Sequence, residues 1–329
     1  MDPSMVAGRR LLAAAAVVGL ALNACAVQAQ NYPDRLIRVV VPYPAGGPID
    51  VTARIVAHHL ALRLGQTIII ENRGGAGGAL GSKIAAGADP DGYTLLFGNA
   101  STLAVGPAVN RFRDYDTLKN FAPIAKVTEG YEVLVVAPEF PARNVRELVA
   151  YAKANPGKVN FGSVGYGNLT HLALELFRLK TAIDVVHVPY KGSADAITGL
   201  IGGQVQMMFG EVAGLLPLVR EGKLRALAVA SETRNRLAPE IPTMSEEGIA
   251  DFIALTFTGV VAPAGTSPAI VTRLNGAINE SLRQAEVMDA LGKLGAEVRP
   301  DSPQEFAAFL ARERDKWVEV VRLAGVKNE

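Results

Sequence analysis

With 33 basic and 32 acidic side chains spread over 329 residues, the chain has a formal charge of +1 and no run of lysine or arginine. A balanced surface of this kind excludes charge-driven binding to nucleic acid or to an acidic membrane face. The length is enough for two domains of ordinary size, each with its own core.

The N-terminus reads as a targeting segment. Arg9 and Arg10 precede an apolar run from Leu11 to Leu22, and Val27-Gln28-Ala29 supplies small residues for cleavage, so residues 1–29 form a signal peptide and Gln30 becomes the new N-terminus. The run is too short to span a bilayer, and no later stretch approaches about 18 unbroken apolar residues. Leu22-Asn23-Ala24-Cys25 offers a competing lipoprotein-type site with Cys25 as the lipidated residue, which Asn23 fits poorly; the paired arginines also suit the twin-arginine route. Removing residues 1–29 leaves 31 basic and 31 acidic side chains and no cysteine. The exported chain therefore has neither a disulfide nor a thiol nucleophile.

Strand-like and helix-like segments then alternate. "LIRVVVPY" (36–43) leads through Pro44, Gly46, Gly47 and Pro48 into a helix over about 51–64 that starts at or near Asp50. "TIIIENR" (67–73) passes through "GGAGGALG" into a short helix near 80–87, and turn chemistry in "DPDGY" precedes the buried strand "TLLFGN" (94–99). "EVLVVAP" (132–138), "VNFGS" (159–163), "VVHVPY" (185–190), "VQMMF" (205–209), "LRALAVAS" (224–231) and "FTGVVAP" (257–263) continue the series, with helices between most of them. This pattern predicts an α/β protein with largely parallel sheets. Ser302-Pro303-Gln304-Glu305 is a capping box for a last helix whose Phe306, Phe309, Leu310, Trp317 and Val321 recur at helical spacing and pack on the core. "VVAP" occurs at 135–138 and 260–263, each time before a capped helix, which suits two strands crossing between two lobes. The expected division is 30–128 plus 258–329 for the first lobe and 129–257 for the second.

Four loops share one character. "YPAGGPID", "FGNASTLAVG" (97–106), "GSVGYGNLTH" (162–171, with Asn168 placed to cap a helix) and "PYKGSADAI" (189–197) all set glycine, serine, threonine or asparagine at the carboxyl end of a strand. Ligands of open α/β sheets bind at such ends, and unpaired N–H groups at a helix start favour an anion. A helix terminus contributes only about 0.3–1 kcal/mol, whereas micromolar binding needs about −8 kcal/mol. One loop is too little; two on each lobe, closing over a ligand, suffice. Taken singly, each glycine turn is equally at home as ordinary structure, Asp50 as a helix cap and His171 as a polar first-turn residue.

Catalytic sets are poorer. After Gly75 and Gly77 the dinucleotide fingerprint lacks its third glycine, because Leu80 stands there, and no acidic residue ends the next strand. Ser163 in "FGSVG" lacks the first glycine of a nucleophile elbow. His58 and His59 are adjacent and cannot face one metal from the same side of a helix, and neither His171 nor His187 has zinc-like spacing to a carboxylate. An exported α/β enzyme, hydrolase or dinucleotide-dependent, remains the alternative without a visible nucleophile–base pair.

"YPDRLIRVVVPYPAGGPIDVTAR", "IIIENRGGAGGALGSKIAAGADPDGYTLLFGNAS", "FGSVGYGNLTHLA", "VPYKGSADA" and "KLRALAVAS…PEIPTMSEEG" together resemble the Bug/TctC family, the periplasmic solute-binding proteins of tripartite tricarboxylate transporters, over essentially the whole exported chain. The resemblance implies a two-lobed Venus-flytrap fold, type II-like, with two crossover strands, no catalysis and no cofactor. It implies a periplasmic monomer that binds a small carboxylate through backbone N–H groups and bridging waters and hands it to a membrane permease. Carried over by motif, Tyr43, Ala45, Gly46, Gly47 and Asp50 form the first carboxylate site. Asn99, Ser101 and Thr102 complete that lobe's wall, and Ser163, Gly165, Asn168, His171, Ser193 and Ala194 contribute from the second lobe. Relatives of this kind carry an aspartate after the strand that here reads "VQMMF". Gly210 followed by Glu211 disfavours an amino-acid ligand, although Glu211 is still in reach of the site, and a dicarboxylate or tricarboxylate is favoured.

Overall fold

The computed structural model describes residues 32–109 and 115–326, so the expected signal peptide over 1–29 and Cys25 lie outside the described residues. The first half begins with β1 (Ile37–Val41), α1 (Pro48–Leu64), β2 (Ile68–Asn72), α2 (Ala79–Ala86) and β3 (Thr94–Asn99). A π-helical turn, Ser101–Val105, follows. β4 (Phe121–Val136) leads into the second half: α3 (Val145–Ala154), β5 (Asn160–Ser163), α4 (Leu169–Thr181), β6 (Val186–Pro189), α5 (Ser193–Ile201), β7 (Met207–Glu211), α6 (Val212–Arg220) and β8 (Arg225–Val229). The chain returns through β9 (Leu255–Pro263), α7 (Pro268–Leu282), α8 (Ala285–Lys293), β10 (Glu297–Val298) and α9 (Pro303–Ala324).

Local chemistry accounts for the best-formed helices. α1 buries Ala53, Val56, Ala57, Leu60 and Leu64, an i, i+3, i+4, i+7 stripe, and ends on Gly65 in the left-handed region at φ 66°. It starts at Pro48, earlier than expected, because Pro48 suits the first helical position; Asp50 is the third residue of the helix, and the cap is Gly47. Asn168 caps α4 by accepting from the His171 N–H, and Ser302 and Glu305 form the complete capping box on α9.

The strands make one continuous system in the order β2-β1-β3-β9-β4-β7-β5-β6, with β8 and β10 also on β4. β1 is parallel to β2 and β3, and β5 is parallel to β6 and β7. The expectation of largely parallel sheets fails at the centre, where β9, β7, β8 and β10 all run antiparallel to β4. A strand that leaves one half and a strand that returns to it run in opposite directions, so they pair antiparallel. β4 also begins at Phe121, well before the expected 132. Lys126, Thr128, Glu129 and Gly130 interrupt its apolar run, and backbone pairing with β9 holds it as a strand regardless.

Register fixes how the halves face each other. Asn99, ending β3, is opposite Thr258, which is opposite Thr128 of β4; Glu211, ending β7, is opposite Glu132 of β4. The carboxyl ends of β1 and β3 therefore point towards the crossing from one side, and those of β5, β6 and β7 point towards it from the other. Three apolar clusters hold the whole. Val39, Val56, Leu60, Leu95, Leu274 and Ile278 sit in the first half, and Val133, Leu200, Val212 and Leu215 in the second. A third cluster joins Leu96 and Leu103 to Phe161, Phe209 and Trp317 across both. α9 contributes to that shared cluster and packs on both β4 and α4.

Candidate ligand site

The β1–α1 loop is held open by its own polar bonds. Asp50, 1% exposed, accepts from Gly46 N–H at 2.8 Å, Arg54 Nε at 2.8 Å and Asn72 Nδ2 at 2.9 Å. Those bonds, the one from Arg54 first, hold its carboxyl at about 2. Asp50 and the Gly46 N–H are thus spent inside the loop. The first intrahelical donor is Val51 N–H, bonded to Gly47 O, so the N–H groups of Ile49 and Asp50 precede the hydrogen-bonded ladder. Ala45 and Gly46 are exposed. A Cβ built on Gly46 meets nothing within 4 Å, and its φ of +79° suits glycine. Tyr43 donates its hydroxyl to Asn99 Oδ1 at 2.9 Å, linking the β1 and β3 ends, and burial raises that hydroxyl to about 12, so it stays a donor. Thr102 is fully buried and its hydroxyl is engaged with Asn99, accepting the Asn99 N–H at 3.0 Å; it positions Asn99 and offers nothing to the cleft. Ser101 is half-buried beside it.

The second half builds its loop in the same way. Ser163 is fully buried and its Oγ lies 2.5 Å from His187 Nε2 and accepts the Gly165 N–H at 3.2 Å. Val164 N–H bonds to Thr170 Oγ1 at 3.0 Å, and Asn168 Nδ2 donates to Val164 O at 2.5 Å. His171, 5% exposed, accepts Gly167 N–H on Nδ1 at 3.1 Å, which leaves the proton of the neutral ring on Nε2, 3.6 Å from Glu175 Oε1. The His171 and His187 rings stack at 4.2 Å with Tyr166 edge-on to both. Burial lowers His187 to about 4, so the stack is not a pair of cations. Ser163, Gly165, Asn168 and His171 accordingly shape the loop from within. Ser193 and Ala194 are exposed at the start of α5, ahead of its first backbone bond, Ala196 N–H to Gly192 O.

Glu211 ends β7 on the face opposite Gly210, where a Cβ would meet Leu215 Cδ1 at 2.7 Å. It is exposed as a residue, while its carboxyl leans over Gly130 and is raised by desolvation there. Three contributors were not legible as site residues. Asn72 joins Tyr43 O to Asp50 Oδ1; Gly78 packs under Tyr43 and Thr102; His187 braces Ser163. The signal for the first two is "IENRGGAGG" itself, a strand end with glycines like the other four loops. His187 shows only as a polar residue between valines of a strand. Ser163 and His187 resemble a nucleophile and base by distance, but the serine is fully buried, accepts the Gly165 N–H and braces the loop. Among the described residues no group of three or more His, Cys, Asp or Glu is placed to hold a metal.

Two half-sheets with glycine-bearing loops facing each other across shared antiparallel strands define the periplasmic-binding-protein class. A periplasmic binding protein, BugD, superposes with a TM-score of 0.76 at 32% identity over 91% of this chain and 100% of its own. The profile of the tripartite tricarboxylate transporter family receptors, TctC, matches residues 52–326. Protein BugT of Bordetella pertussis is 39% identical over 97% of this chain and 98% of its own length. The chain belongs to the TctC family of solute-binding receptors. MatC of Rhodopseudomonas palustris, solved with malate bound, is similar at 35% identity and a TM-score of 0.76, over 88% of this chain and 100% of MatC. A second R. palustris protein, Rpa4515, solved with adipate, is similar at 31% identity and a TM-score of 0.79, over 90% of this chain and 99% of its own. These relatives are binding and transport proteins, not enzymes.

Proposed function

We propose that the protein is the extracytoplasmic receptor of a tripartite transporter, located in the periplasm, which captures a small carboxylate and delivers it to an integral-membrane permease. A dicarboxylate or tricarboxylate is the favoured ligand, and the malate and adipate seen in relatives support that class. The observation that carries the reading is the pair of helix starts, Ile49–Asp50 on α1 and Ser193–Ala194 on α5. Each lies at a strand's carboxyl end and has backbone N–H groups ahead of its first intrahelical bond. The lobes are taken as 30–128 plus 258–329 and 129–257; Thr128 and Thr258, at the two junctions, are direct strand partners, which makes the crossing a compact hinge. Ligand draws the lobes together and supplies the charge-assisted bonds, each worth about 1.5–3 kcal/mol, that one loop alone lacks.

The test is a thermal-shift screen of the purified protein against linear dicarboxylates, tricarboxylates, aromatic acids and amino acids. A ligand at 100 times its Kd adds about 2.7 kcal/mol to the folded state. Gly47→Trp supplies the control. Gly47 has an ordinary backbone (φ −74°, ψ 165°) and a Cβ there meets only Pro44 O at 3.5 Å, so the fold accepts a side chain that blocks the bare loop. Binding is expected to vanish with the melting temperature of the free protein nearly unchanged. Normal binding by this variant places the ligand elsewhere.

A further inference from the structure

The strand crossing carries a polar strip that the loops do not explain. Asn99, Thr258 and Thr128 are successive partners across β3, β9 and β4; Thr256 faces Gly130, and Glu132 faces Glu211. Directly paired residues share a sheet face, and so do alternate residues along a strand, so all of these lie on one face. The strip starts at Asn99, which Tyr43 ties to the β1–α1 loop, and ends at two carboxyls. The Glu211 carboxyl and Thr256 close over Gly130: a Cβ there would stand 2.6 Å from Glu211 Oε1 and 3.1 Å from Thr256 Cγ2. From Asn99 to Glu132 is two strands across and four residues along, about 16 Å by strand geometry, so the two carboxyls stand at the far end of the strip from the β1–α1 loop.

Glu132 is the unusual member. It is 4% exposed, and its Oε2 is buried without a hydrogen-bond partner among the described residues. A buried polar group in that condition calls for a partner from outside the chain. We propose that Glu132, with Glu211 across from it, is the far anchor of the ligand site: it keeps its proton and donates that hydrogen bond to the ligand's second carboxylate. The inference rests on the carboxylate-binding reading and deepens it. The surroundings agree. Desolvation, then Glu211, raises the Glu132 carboxyl to about 8, and Glu211 is the one charged group bearing on it. β9 presents Thr256, β8 approaches through Ala230 N–H to Glu132 O, and the segment before β9 offers Ala254 O to Glu132 N–H. No cation faces the pair among these. A neutral acid in that setting is a donor in search of an acceptor, and a carboxylate oxygen is the acceptor the ligand class supplies.

Titration calorimetry with malate, adipate and citrate, from about pH 6 to about pH 10, tests this. The acid that binds should do so with constant affinity up to about pH 8 and then lose about tenfold per pH unit as Glu132 ionises. Glu132→Gln, a permanent donor of the same shape, should bind within several-fold of the parent and show no such fall; Glu132→Leu should lose at least tenfold. Affinity that is flat or rises above pH 8, or a Glu132→Gln variant that no longer binds although it melts normally, overturns the proposal. Should none of the three acids bind, the carboxylate reading falls instead. The proton is then judged separately by infrared spectroscopy. A protonated-carboxyl band at neutral pH, absent in Glu132→Gln, is required, and its absence from the parent protein overturns the assignment of the proton.

Discussion

Asp50 and Glu132 are buried carboxyls with opposite electrostatics, and each gives the fold a different sensitivity. Asp50 accepts three bonds and is lowered from 3.8 to about 2, so its contribution to stability is full above the ordinary value and is lost as pH falls towards 2. Half of the Arg54 side chain is in solvent, which weakens that ion pair by screening. What Asp50 chiefly does is fix Gly46 and Asn72. Asp50→Ala should therefore cost about 2 kcal/mol of stability. It should also weaken carboxylate binding about tenfold or more, because the loop that presents the free N–H groups loses its brace. Denaturant unfolding together with calorimetry measures both, and a variant that is destabilised but binds normally would show that the loop's shape does not depend on this residue.

At the scale of elements, the glycine-rich segment between β2 and α2 is a buttress for the first-half loop. A Cβ at Gly78 would stand 2.5 Å from Thr102 Cγ2 and 3.2 Å from the Tyr43 hydroxyl, on a backbone at φ +102°. Gly78→Ala is expected to destabilise by about 1–3 kcal/mol and to reduce binding by displacing the Tyr43–Asn99 contact. Gly276→Ala, inside α7 where a Cβ meets nothing within 4 Å, is the matched control and should be neutral or stabilising by about 0.5–1 kcal/mol. Denaturant midpoints of the two variants separate a packing effect from a general effect of replacing glycine.

For the molecule as a whole, two features restrain how the halves move. β4 and the returning chain at Ala254–Thr256 lie side by side, and α9 packs on both halves, with Trp317 fully buried and Lys316 Nζ on Ile253 O at 3.3 Å. Motion about such a crossing is a hinge closure of the cleft, with little sliding. Saturating carboxylate should therefore lower the radius of gyration in small-angle X-ray scattering. A titration that saturates by calorimetry while the scattering profile stays the same would rule closure out.

Features written in neighbouring residues were open to reading from the chain alone. The Ser302–Glu305 box, the Asn168 cap, the strand at Thr94–Asn99 and the glycine turns after β1, β5 and β6 each depend on residues a few positions apart. So does the family, whose motifs run in order along the chain from Tyr32 onwards. What remained hidden depends on partners far away in sequence. Lys126, Thr128 and Glu129 mask the first half of β4, which exists as a strand because β9, more than 120 residues later, pairs with it. His171 and Asp50 read as ligand residues because they are polar and follow glycine loops; only the packed structure turns them inward, onto Gly167 and Gly46. Glu132 reads as the polar start of an apolar strand, and its meaning comes from Glu211, placed opposite it by the antiparallel crossing. Local hydrogen bonding and periodicity thus determined the elements and the chemistry of the loops. Direction of pairing, burial and the meeting of distant carboxyls belonged to the tertiary structure, because each is a property of two segments and of neither one alone.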